Sequence, residues 1–256
     1  MTSPNFRHPV TLAKEAMTLD DISGGRLSIN VVSGWFLPEL EALGVTLLDH
    51  DDRYAHTREW LDTVTALWAG KQVAVGAGGG QPALARPLPR SVPPIYVGGE
   101  SDPGRALAAE TADVFFINGR PLADTEAVIA DLRSRRESAR AGAPLRFGLS
   151  AFVIARDTDD EAEAEASHLQ SLVDAERRPE ISGGTDPKTQ MYKVLADTSR
   201  VGSNGGTLAG LVGSYGTVAE RISAFHDAGI ELFMLQFQPL ETELERFAEH
   251  LIPRFR

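Results

Sequence analysis

Residues 26–54 read RLSINVVSGWFLPELEALGVTLLDHDDRY, and the order of signals in this stretch decides the fold. Leu27 to Ser33 is an apolar, β-branched run of the length of a buried strand. It ends in Ser33-Gly34-Trp35, a small-small-large sequence that can turn the backbone and set an aromatic ring beside the turn. A loop comes next, and then Asp49-His50-Asp51-Asp52-Arg53-Tyr54 leads into a helix predicted over about 53–68. The connection from Gly34 to Tyr54 is far longer than the roughly two to six residues usual for a strand-to-helix loop. In parallel α/β proteins ligands sit beyond the C-terminal ends of strands. This loop is therefore the expected centre of a binding site.

Outward from that stretch the same strand–loop–helix unit repeats. Upstream, Val10, Ala13, Ala16, Met17 and Leu19 recur at near-helical spacing, and Ser23-Gly24-Gly25 supplies the helix stop. Downstream, strands are expected at about 94–97, 113–118, 145–155 and 232–237, with helices ending near 112, 141, 176, 228 and 251. The strands are apolar enough to be covered on both faces, which argues a parallel sheet. Five strands can be read in this way. The Gly- and Pro-rich stretch between Gly70 and Pro94 reads as an irregular excursion. Residues 178–215 are polar with weak periodicity and read as an insertion that could act as a lid.

Composition narrows the function classes. The chain of 256 residues has no cysteine, which removes disulfides, thiolate metal ligands and a cysteine nucleophile. A formal net charge of −11 argues against nucleic acid and anionic membrane surfaces as partners. No apolar run approaches the ~20 residues of a membrane span, and no signal-peptide pattern opens the chain. A cytoplasmic location is the default expectation. The acidic helix after residue 158 reads as a solvated face.

Among candidate sites, Gly98-Gly99-Glu100-Ser101-Asp102 stands first. Glycines at a strand end admit close backbone approach, and a hydroxyl with free N–H groups at a helix start suits a phosphate. The same residues also suit a plain tight turn with Ser101 or Asp102 as N-cap. Asn30 lies inside a strand, where its amide must find partners in a ligand or in the core. Tyr54 could stack on a ligand or simply pack. His8, His50 and His56 show no metal-binding spacing, and the acidic run around His50 suits capping and solvent. No metal site is expected, and neither a GxSxG elbow nor an HExxH motif is present.

Taken together, TLDDISGGRLSINVVSGW, LDHDDRY, PPIYVGGESD, AAETADVFFINGRP and TVAERISAFHDAGIELFML resemble the bacterial luciferase-like flavin-dependent monooxygenases, in particular the alkanesulfonate and dimethyl sulfone monooxygenase branch. The resemblance covers nearly the whole chain in order. It implies an α/β TIM (β/α)8-barrel, read as one domain over 1–256, with reduced FMN at the C-terminal strand ends. Reduced flavin would come from a separate NAD(P)H:flavin reductase and, with O2, oxygenate a small organic substrate, often at a carbon–sulfur bond. The family pattern assigns flavin or phosphate contacts to Asn30, Ser33, Gly34, Tyr54, Gly98, Gly99, Glu100 and Ser101. A homo-oligomer is also implied.

Two departures qualify the resemblance. The segment from Thr2 to Gly25 resembles the part of the family pattern that lies just beyond its third strand, so about the first three βα units are expected to be absent. Where the alkanesulfonate branch carries Arg and His on a strand, an Arg in the lid and a Tyr in the last strand, this chain has Ser150, Phe152, Asn204 and Phe237. An anion held away from water needs charge-assisted partners. A neutral or apolar substrate is therefore expected, lined by Trp35, Phe152 and Phe237. No acid–base residue can be assigned. The alternatives are an F420-dependent oxidoreductase on the same fold, or an inactive barrel fragment.

Overall fold

The computed structural model describes residues 2–46, 48–74, 82–84, 92–139, 143–175, 188 and 201–256. Much of the expected insertion at 178–215, and the Gly76–Gly80 cluster of the excursion, lie outside these residues. The chain divides into two compact units, Met1–Phe115 with Ala139–Ala143, and Phe116–Ser138 with Pro144–Arg256.

In the first unit, helix α1 (Pro9–Ser23) starts on Pro9, whose fixed φ and missing N–H suit a first turn, and stops at Gly24 in the left-handed conformation. Strand β1 (Ile29–Val31) comes next. A short helix α2 (Leu37–Ala42) interrupts the long loop, and helix α3 runs from His50 to Trp68. Strand β2 (Ile95–Val97), helix α4 (Asp102–Thr111) and strand β3, which begins at Val114, complete the unit. β1, β2 and β3 pair in parallel, with Ile29 opposite Ile95, Asn30 opposite Tyr96 and Val31 opposite Val97. Parallel register sends the buried Ile and Val side chains to one face and Asn30 and Tyr96 to the other. α3 buries Trp60, Leu61, Val64, Leu67 and Trp68 along one stripe. Both indoles reach back across the chain, Trp60 Nε1 donating to Arg7 O at 2.7 Å and Trp68 Nε1 to Ala13 O at 3.1 Å.

In the second unit, helix α5 (Leu122–Ala139) precedes strand β4 (Arg146–Phe152), which is buried at every position after Arg146, as a covered parallel strand should be. The expected single strand at 145–155 is in fact two. β4 pairs in parallel with β7 (Ile230–Gln236), whereas β5 (Ile154–Arg156) pairs with β6 (Val212–Ser214). The hand-over falls at Val153, whose N–H bonds Gln236 O at 3.0 Å before Ile154 N turns to Leu211 O at 3.0 Å. A change of partner leaves no mark in hydrophobic periodicity, so the break is silent in sequence. Helix α6 (Asp159–Ala175), helix α7 (Tyr215–Ala228, stopped by Gly229) and helix α8 (Leu240–His250) cover these strands. Arg156 is held by Glu243 at 2.7 Å and Glu165 at 3.6 Å, tying β5 to α8 and α6 through one guanidinium. No helix among the described residues is long and apolar enough to cross a membrane.

Candidate functional site

The eight residues expected to hold a cofactor all fall in the first unit, at or near the C-terminal ends of β1 and β2. Ser101 occupies the N-cap position of α4 with extended backbone (φ −65°, ψ 164°), yet its side chain makes no cap hydrogen bond. Its Oγ is buried and has no hydrogen-bond partner. A serine at an N-cap ordinarily satisfies a helix N–H, and this one satisfies none. The Asn30 Oδ1 is likewise buried without a partner.

Tyr54, the fifth residue of α3, stands against the turn after β2. A Cβ placed on Gly99 would lie 2.7 Å from the Tyr54 hydroxyl and 2.9 Å from its ring. A side chain at 99 would have to displace the phenol. The other side of the turn is equally tight, since Gly104 of α4 packs on the Gly99 carbonyl. Glu100 is buried, and Arg105 Nε donates to its carbonyl at 3.0 Å, which brings a cation to the turn.

Ser33 and Gly34 close β1. Asn5 Nδ2 donates to Ser33 O at 2.9 Å, and Thr57 Oγ1 lies 2.8 Å from Ser33 Oγ and 2.7 Å from Arg53 O. Gly34 adopts φ +96°, the left-handed region that suits glycine, where the chain leaves the strand. These contacts fix the strand end to the start of α3 and so set where Tyr54 stands. Trp35 packs its ring on Phe36, with centroids 5.5 Å apart.

In the second unit, Phe152 belongs to an apolar cluster with Ile154, Ala162, Leu169 and Val201. Phe237 packs on Phe247 with centroids 5.4 Å apart. Ser150 is buried and accepts a hydrogen bond from Gln236. Among the described residues no group of His, Cys, Asp and Glu is arranged to hold a metal.

Sequence reasoning missed His50, Thr57 and Arg105. The acidic run Asp49–Asp52 suggests solvent, but His50 is only 5% exposed. Its Nδ1 lies 2.7 Å from Asp51 Oδ1, its ring packs edge-on to Tyr54, and its Nε2 is buried with no partner. The period of α3 could have located it, because His50, Arg53, Thr57, Trp60 and Val64 share one helical stripe. Asn30 Oδ1, Ser101 Oγ and His50 Nε2 are thus among the buried polar atoms of the first unit with no hydrogen-bond partner in the protein, as are both carboxylate oxygens of Asp20.

A five-stranded parallel sheet, a two-stranded one and the helices packed on them make this an α/β protein, in which ligands sit beyond the C-terminal strand ends. The chain belongs to the luciferase-like monooxygenase family, whose pattern matches residues 1–232. It is 30% identical over 259 aligned residues to an FMNH2-dependent dimethylsulfone monooxygenase of Pseudomonas putida, covering 97% of this chain and 71% of the relative. Solved structures of the same fold include a long-chain alkane monooxygenase, LadA, with a TM-score of 0.77 and 22% identity, covering 99% of this chain and 67% of the other. DmoA from Hyphomicrobium sulfonivorans superposes with a TM-score of 0.76 at 21% identity, covering 100% of this chain and 66% of the other.

Proposed function

We propose that this chain is an FMNH2- and O2-dependent monooxygenase acting on a small, uncharged organic substrate such as a sulfone. The observation that carries the cofactor part is Ser101, whose hydroxyl at the head of α4 is buried and caps nothing. The residues present fit reduced FMN. Ser101 and the backbone of Gly98, Gly99 and Glu100 would take the phosphate at the positive end of α4, with Tyr54 standing over the turn. Asn30 Oδ1 would accept a hydrogen bond from the flavin or its ribityl chain, and Ser33 and Gly34 shape the strand end beside it. When bound, reduced flavin supplies the electrons and the oxygen-activating chemistry. The chain binds it, orients it and keeps water from it.

The substrate class is argued from the second unit. Ser150, Phe152, Asn204 and Phe237 put no charge where the alkanesulfonate branch has two arginines, a histidine and a tyrosine. A sulfonate would lose its charge-assisted partners there, whereas a neutral sulfone would not. A dimethyl sulfone monooxygenase reading agrees with the name of the Pseudomonas putida relative. A separate NAD(P)H:flavin reductase would supply FMNH2, and the single-domain, homo-oligomeric arrangement expected from the family is part of the same proposal.

The test is turnover with a flavin reductase, NADH, FMN and 18O2 against dimethyl sulfone and a series of alkanesulfonates. Incorporation of 18O with the sulfone and not with the sulfonates is expected. Oxygenation of sulfonates at equal efficiency, or of neither, would overturn the substrate assignment. The F420 reading is separated by binding, because an F420 enzyme would take up that deazaflavin in preference to FMNH2.

A further inference from the structure

Residues 201–207 form a tight strap at the C-terminal ends of β4 and β7, and one side chain carries most of its attachment. The Gln236 amide, on the last residue of β7, is saturated. Its Oε1 accepts from Ser203 N at 3.0 Å and Ser203 Oγ at 3.1 Å. Its Nε2 donates to Ser203 O at 3.0 Å and to Ser150 Oγ on β4 at 3.0 Å. An amide offers two donors and two acceptor lone pairs, and here all four are spent inside the protein. Gln236 is therefore not free to bind a ligand itself.

The strap has no slack elsewhere. Asn204 sits at φ +49°, uncommon for a residue with a side chain, and its carbonyl accepts from Gly119 N at 2.7 Å. A side chain on Gly205 would collide with the Gly119 backbone, and one on Gly202 with the Phe152 ring. Thr207 closes the base, its N–H donating to Val201 O at 3.0 Å and its Oγ1 accepting from Val201 N at 3.0 Å. The strap is thus closely packed, and beside the Gly119–Asn204 bond the side-chain hydrogen bonds that hold it to the strand ends converge on Gln236.

Strand C-terminal ends are where this fold presents ligands. We propose that Gln236 is a positioning residue: it clasps Ser203 to Ser150 and thereby fixes residues 201–207 as a wall of the substrate site. The proposal rests on the monooxygenase reading for its substrate and on the four hydrogen bonds for its geometry. It also gives Ser150 a role, as the anchor on β4 through which Gln236 holds the strap.

The experiment compares wild type with Gln236→Ala and Gln236→Glu. The glutamate keeps the size and both accepting contacts and can accept from the Ser150 hydroxyl, but it loses the bond donated to Ser203 O and sets a carboxylate against that carbonyl. Hydrogen exchange at Ser203 and Gly119 is expected to quicken at least about tenfold in both variants. The turn at Gly98–Ser101 should exchange as before. With dimethyl sulfone as probe, KM should rise more than kcat falls, and affinity for FMNH2 should stay within about twofold. Exchange indistinguishable from wild type overturns the clasp, and faster exchange with unchanged KM overturns its positioning role. A wild-type chain that does not oxygenate dimethyl sulfone counts against the substrate assignment, and exchange then decides the clasp alone.

Discussion

Gly99→Ala is a one-carbon change whose effect can be worked from the structure. The new methyl would stand 2.7 Å from the Tyr54 hydroxyl, 2.9 Å from Cε1 and 3.2 Å from Cζ. Carbon atoms prefer separations of roughly 3.5–4.0 Å, so the phenol has to withdraw. Its ring is already engaged by His50, with centroids 5.2 Å apart at 63°, which limits the directions open to it. Overpacking of this kind costs about 1–3 kcal/mol of stability. If Tyr54 helps hold the cofactor's phosphate, its displacement also removes a hydrogen bond to a charged group, worth about 1.5–3 kcal/mol. At about 1.4 kcal/mol per decade, FMNH2 affinity should fall roughly 10- to 100-fold. An anaerobic fluorescence titration gives the affinity, and a thermal melt of the same sample gives the stability. Adding Tyr54→Ala should recover the melting loss of Gly99→Ala, since the clash needs both side chains, and the two changes should be non-additive by more than about 0.5 kcal/mol. Wild-type affinity and melting in Gly99→Ala would refute the reasoning.

Two further outcomes are expected. Glu243→Ala strips the nearer carboxylate from Arg156, whose side chain is 14% exposed and keeps Glu165 at 3.6 Å and the Ala155 carbonyl at 2.9 Å. A stability loss of about 3 kcal/mol, seen as a drop of roughly 6–12 °C in melting temperature, should result. Asp159 is held below the ordinary carboxylate range, first by the N–H of Ser214 at 2.6 Å, then by the hydroxyls of Thr217 and Ser214, with a smaller contribution from Arg221. A depressed folded-state value means its contribution is present above the unfolded value of about 3.9 and is lost as pH falls through the folded one. The difference in melting temperature between wild type and Asp159→Asn should hold steady above about pH 5 and close below about pH 4. A difference that persists unchanged into acid would show that the carboxylate's charge is not what anchors the start of α7.

The parallel α/β character was legible because Ile29, Val31, Ile95, Val97 and Val114 sit in short apolar runs, each followed by a turn and a helix. The turn at Gly98–Ser101 was legible as a turn, because glycines after an apolar run and a serine before a helix mark a strand end and an N-cap. Features set by partners in space were hidden. β6 is Val-Gly-Ser, too short to show alternation, and it pairs with β5 only because the chain leaves β7 after β4, at Val153. α2 is six residues within a stretch that reads as loop. The burial of His50 depends on how α3 is packed, not on the charges flanking it. Gln236 looked like one more polar residue at the end of a strand, since nothing in its neighbours Leu235 and Phe237 announces Ser203 as its partner.

The central claim is that the turn between β2 and α4 receives the phosphate of reduced FMN. An anaerobic FMNH2 titration of the wild-type chain and of Ser101→Asp tests it most directly, because the substitution places a carboxylate where a phosphate would sit while keeping a residue suited to the N-cap. Micromolar binding by the wild type, weakened at least about a hundredfold in a variant that still melts cooperatively, is the expected result. Equal affinity in both proteins, or no binding by the wild type, would contradict it.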